Sequence, residues 1–123
     1  MNEMPVSKEG QSEAPVPLVW RPMLAAIVDA LARGEEPMLP QVRLQLPGTW
    51  DDIQESIEDY GARLVPLPAA SWDSSVHIWS GEYWDVLVDL YTEEEGASDL
   101  VLKVRVYEAA DGYRYEVDMA YVP

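Results

Sequence analysis

The chain has no cysteine and no phenylalanine, and its 123 residues include one histidine and eight lysines and arginines. Without cysteine there can be neither a disulfide nor a thiolate metal site. With a single histidine, His77, two residues after Ser75, nothing marks a nucleophile, base and orienting triad. His77 is therefore expected to be a solvent-facing or hydrogen-bonded structural residue. No apolar run approaches the roughly 18 residues of a spanning helix. The opening "MNEMPVSKEGQSEAPVP" lacks the cationic-then-apolar order of a signal peptide, so the expectation is a cytoplasmic protein with no membrane partner. Since Phe is absent, the rings are five Trp and seven Tyr. Their polar atoms need partners when buried, and they suit wet or protein-facing surfaces.

What the chain has in excess is acid. Twenty-three Asp and Glu against eight Lys and Arg give a net charge of −15 and a pI near 4.1. Such a field repels phosphate backbones and anionic headgroups and attracts basic surfaces, so a basic protein partner is expected and nucleic acid is not. A chain of this length suits one domain that buries roughly 65% of its unfolded surface.

Residues 1–17, rich in Pro, Glu, Ser and Gly, are expected to form a mobile N-terminal tail, with residues 18–123 a single α+β domain. In "WRPMLAAIVDALARGEE", Leu24, Ile27, Val28 and Leu31 fall on one helical stripe, with Pro22 suited to the first turn and Gly34 to the stop. "EEPMLPQVRLQLPG" carries three prolines, yet Val42, Leu44 and Leu46 alternate as in a short edge strand. "GTWDDIQESIEDYG" predicts a second helix capped by Thr49 with Asp52, ended by Gly61, with Trp50, Ile53, Ile57 and Tyr60 on one face. Its outer face is wholly acidic, comprising Asp51, Asp52, Glu55, Glu58 and Asp59.

The remainder alternates with period two. Trp84, Val86, Val88 and Leu90 predict one inward face, and Leu100, Leu102, Val104 and Val106 another. Tyr113, Tyr115, Val117, Met119 and Tyr121 are expected to share a side of the last strand, after an Asp-Gly turn. Opposite charges across antiparallel neighbours favour a register with Asp85 facing Arg105, Arg105 facing Glu116 and Lys103 facing Asp118. The predicted architecture is α+β, with two amphipathic helices packed on one face of an antiparallel four- or five-stranded meander sheet.

Two segments carry acids without a base: Glu82 to Asp99 with seven, and the second helix with five, so together they hold twelve of the 23. The expected partner-binding residues are Glu93, Glu94, Glu95, Asp99, Asp85, Asp89, Tyr83, Tyr91, Asp52, Glu55 and Asp59. Acids mixed with rings steer a basic partner and then anchor it. Catalytic acid pairs are a poorer fit: Asp85 and Asp89 stand about 13 Å apart on an extended strand, wider than the usual glycosidase spacings. "TEEEGASD" has neither the spacing nor the length of a calcium loop, so no metal or cofactor is expected. A small enzyme or divalent-metal domain using clustered carboxylates is the first alternative. A structural dimerisation module, acting as a homodimer rather than a monomer, is the second.

The string "YWDVLVDLYTEEEGASDLVLKVRVYE" resembles a bacterial family of small domains of unknown function that carry a W-x-V-x-V-x-L-W-T-E-E-E-G-x-S-D-L-x-L hairpin. Trp84, Val86, Val88, Leu90, Thr92, Glu93, Glu94, Glu95, Gly96, Ser98, Asp99, Leu100 and Leu102 match it. Tyr91 replaces the usual aromatic, and Leu87 stands where a polar residue is commoner. The resemblance implies that the acidic loop belongs to the domain, and it implies no activity. In type, the chain is also similar to immunity proteins, small acidic inhibitors that cover a basic toxin.

Overall fold

A computed structural model describes residues 5–10 and 12–123. The two predicted helices are present: α1 spans Arg21–Ala32 and α2 spans Thr49–Tyr60. Among the described residues, seven strands form one sheet: β1 (Ala14–Pro15), β2 (Val42–Leu44), β3 (Leu64–Val65), β4 (Val76–Trp79), β5 (Trp84–Thr92), β6 (Gly96–Ala109) and β7 (Gly112–Tyr121). The order is β1-β4-β5-β6-β7-β2, with β3 paired to the far end of β5.

Burial explains both helices. In α1, Leu24, Ile27, Val28 and Leu31 are all buried, each contributing about 1.5–3 kcal/mol when fully removed from water. Gly34 ends the helix at φ +71°, a left-handed conformation that costs glycine nothing. In α2 the expected cap is displaced. Gly48, at φ +92°, occupies the cap position, and Thr49 is the first helical residue. The Thr49 hydroxyl turns back to accept the Leu46 amide at 3.0 Å.

The β5–β6–β7 meander is confirmed, with Asp85 opposite Arg105 and Arg105 opposite Glu116. It is part of a larger sheet than the four or five antiparallel strands predicted, because β2 joins β7 in parallel, Val42 facing Tyr115. One register expectation fails. A bulge makes Lys103 pair with Met119 and Val104 with Val117, leaving Asp118 as the extra residue. The side-chain alternation therefore reverses, so that Met119 is 43% exposed while Ala120 is buried. Asp118 nonetheless reaches Lys103 at 3.5 Å. Buried side chains of both helices join the inward residues of β5, β6 and β7 in one core cluster.

The first residues depart from the tail that composition implies. Residues 1–4 and 11 of that segment lie outside the described residues. Ala14 and Pro15 pair with His77 and Val76 as an edge strand, and Val16 is fully buried. His77 binds this segment from both ring nitrogens. Its Nδ1 meets the Ala14 carbonyl at 3.1 Å, and its Nε2 accepts the Ser7 amide at 3.0 Å. The Trp84 indole donates to the Ser7 carbonyl at 2.8 Å. The polar composition hides a segment held by backbone hydrogen bonds together with the buried Val16 side chain.

Because Nε2 must accept, the docked segment needs neutral His77. Burial lowers its pKa below the ordinary 6.5, with the Ala14 and Pro15 carbonyls opposing in part. The unfolded chain therefore takes up this proton more readily than the folded one. The contribution of His77 to stability should be complete above the ordinary histidine value and decline as pH falls below it. Urea unfolding at about pH 7.5 and about pH 5.5 should show wild type losing stability relative to His77→Gln at the lower pH. A pH-independent difference between the two would contradict the arrangement.

Candidate functional site

The hairpin between β5 and β6 turns through Glu93, Glu94 and Glu95, with Thr92 facing Gly96. Three-residue turns of this kind need a left-handed residue at their end, and Gly96 supplies it at φ +74°. Thr92 is buried, and its hydroxyl accepts the Glu95 amide at 3.1 Å. Ser98 fills the adjoining bulge, donating to the Leu90 carbonyl at 2.7 Å and accepting the Leu100 amide at 3.1 Å.

The tip is fastened to the end of α2. The Glu93 amide donates to the Arg63 carbonyl at 2.8 Å, and a Glu94 carboxylate oxygen accepts the Arg63 amide at 2.8 Å. Tyr60, the last residue of α2, donates its hydroxyl to Glu95 at 2.7 Å while accepting the Asp99 amide at 3.0 Å. That amide pulls the Tyr60 pKa down, but the Glu95 hydrogen bond, burial and the nearby negative charges outweigh it, and the net shift is upward. The phenol therefore stays protonated and remains a donor. The Arg63 guanidinium lies 3.7 Å from Glu93.

This joint ties the tip that carries Glu93, Glu94, Glu95 and Asp99 to the C-terminal end of α2, the helix that carries Asp52, Glu55 and Asp59. All seven are exposed. The remaining predicted residues stand elsewhere. Asp85, Asp89 and Tyr91 occupy outward-facing positions of β5, away from the core, and Tyr83 immediately precedes the strand. There Asp85 lies 4.0 Å from Lys103, and the Tyr83 ring packs on Tyr107 with Arg105 over its face at 4.8 Å. Asp89 is tied through its backbone, donating to Ser75 at 2.9 Å and accepting from Ser71 at 2.6 Å.

Sequence reasoning missed Tyr60 and Arg63 as the residues that join the two acidic segments. Tyr60 carried a signal, a ring with a polar tip ending an amphipathic helix, but its partners are 35 and 39 residues away. Among the described residues, no three or more His, Asp or Glu side chains gather as metal ligands would. No described helix is long and apolar enough to cross a membrane.

Fold and site together define a small α+β domain rich in acids, with a hairpin tip tied to the end of one helix. Residues 28–123 match the model of a domain of unknown function, DUF7668, and the chain belongs to that family. No curated protein and no solved structure matches it.

Replacing Tyr60 with Phe should loosen the joint, because it leaves the Asp99 amide and the Glu95 carboxylate short of a partner. Urea unfolding should show a small loss of stability, with exchange at the Asp99 amide roughly tenfold faster. Unchanged exchange there would show that the hydroxyl does not hold the tip.

Proposed function

We propose that this domain is a non-catalytic protein-binding module for a basic protein, acting as an immunity or inhibitor protein does when it occludes a toxin. The observation that carries this reading is a set of acids that the helix itself disfavours. Asp51 with Glu55 and Glu55 with Asp59 are like-charge pairs at four-residue spacing, each destabilising by about 0.2–0.5 kcal/mol. Glu58 and Asp59 sit in the last turn of α2, which has no basic residue. Anions oppose the helix dipole at that end. Chemistry of this kind, unfavourable within the chain, becomes favourable against an external cation.

The mechanism would be steering followed by steric cover. A single-signed face raises the encounter rate with an oppositely charged partner by about 10-fold to 10³-fold at low ionic strength. The tie between the tip and the end of α2 supports this reading, because it holds the charges of Glu93, Glu94, Glu95 and Asp99 close to the end of the helix that bears the others. The small size, the absence of cysteine and the acidic surface support the inhibitor form of the reading.

Affinity capture from the native host with immobilised wild type should retain a basic protein that Glu55→Lys with Asp59→Lys does not. For the isolated pair, the double variant should slow association at least about tenfold at low salt, with the difference vanishing at high salt. The fold should be unharmed, since a lysine at position 55 lies one turn from Asp51, Asp52 and Glu58, and one at position 59 suits the negative end of the α2 dipole. Equal binding of that partner by both proteins would sink the proposal.

A further inference from the structure

Between the C-terminal end of α1 and the flank of α2 lies an open groove of about 480 Å³. Leu31, Trp50 and Ile57 give it apolar walls, while Glu58, Arg63 and Glu94 form its polar rim. Leu31 is buried, and Trp50 and Ile57 are half-buried.

The rim is negative on balance. Two carboxylates face one guanidinium, and that guanidinium already stands 3.7 Å from Glu93. Gly34 and Gly61, which follow the last turns of the two helices, also line the groove. It therefore lies near the negative ends of both helix dipoles, each equivalent to roughly half a charge. Glu94 is pre-positioned, because one of its oxygens is held by the Arg63 amide at 2.8 Å. A charge fixed in advance costs little ordering when a ligand binds.

These walls and this rim select a chemistry. A purely apolar ligand would strip water from the carboxylates without replacing it, and a compact cation would leave the walls uncovered. A long aliphatic stem ending in a cation satisfies both. Of the two such side chains, arginine adds planar bidentate contact with a carboxylate and stacking on an indole face, here Trp50. We infer that this groove receives an arginine side chain, flanked by apolar residues, from the basic partner. The inference rests on the protein-binding reading and names the anchor point within it.

The test is an amide-shift NMR titration of the full chain with acetyl-Leu-Arg-Leu-amide, set against the uncharged citrulline peptide of the same shape. Saturable shifts are expected at Gly34, Gln54, Gly61 and Arg63 and at the Trp50 indole. The citrulline peptide and the Glu58→Gln variant should each bind about fivefold more weakly. Equal binding of the two peptides, shifts confined to other acids of α2, or no saturable shift would each overturn the groove. A captured basic partner separates the two levels. If it is lost by Glu55→Lys with Asp59→Lys but bound unchanged by Glu58→Lys, the groove falls and the acidic-face reading stands. If neither variant matters, both fall.

Discussion

Eight cations serve twenty-three acids in this chain, and their placement decides which carboxylates remain open to a partner. Arg43, Lys103 and Arg105 are committed to the outer face of the sheet, where they meet Glu116, Asp118 and Asp85. Glu116 and Asp118 are nearly buried there, with side-chain exposures of 9% and 6%. Removing a cation would strand a desolvated carboxylate, a far larger penalty than loss of an exposed pair. Lys8, Arg33 and Arg63 make exposed pairs of small worth with Glu108, Glu35 and Glu93. Arg21 is engaged with the Val16 carbonyl at 3.0 Å. No ion pair among the described residues includes an acid of α2.

The hairpin tip looks different in this light. Its three glutamates do not project freely. Glu93 and Glu94 bracket the backbone of Arg63, and Glu95 grips Tyr60. The same residues are exposed, so one acidic loop both closes the fold and adds to its negative surface. Substitutions in the loop would mix these two effects, whereas Glu55 and Asp59 carry charge with no such structural duty.

The parts of the fold that were legible in the sequence are those whose periodicity is uninterrupted. The α1 stripe, the α2 faces, the strands β5 and β6 and the charge-matched register between them all follow from residue spacing. What stayed hidden was set by distant backbone. The Asp118 bulge reverses Met119 and Ala120 without any glycine or proline to announce it. The two-residue β1 lies in a stretch whose composition reads as solvent-exposed. β2 was recognisable as a strand, but its parallel pairing with β7 depends on contacts across 73 residues. The acidic segments were visible singly, whereas their meeting depends on the Tyr60 hydroxyl, which no local pattern specifies. The groove beside Trp50 was beyond reach for the same reason, since its walls come from two helices and a hairpin.

The parallel seam between β2 and β7 also orders events in time. The β5–β6 hairpin closes through a three-residue turn, while β2 reaches β7 only after a loop of 73 positions has been drawn together. Loop closure costs about 0.6 kcal/mol more for each doubling of length, so this seam is about 2–3 kcal/mol dearer in chain entropy than the hairpin. Local pairings form first under such a gradient. The C-terminal meander is thus the half of the fold with the cheaper chain closure, and joining the helical half to it carries the larger entropic cost.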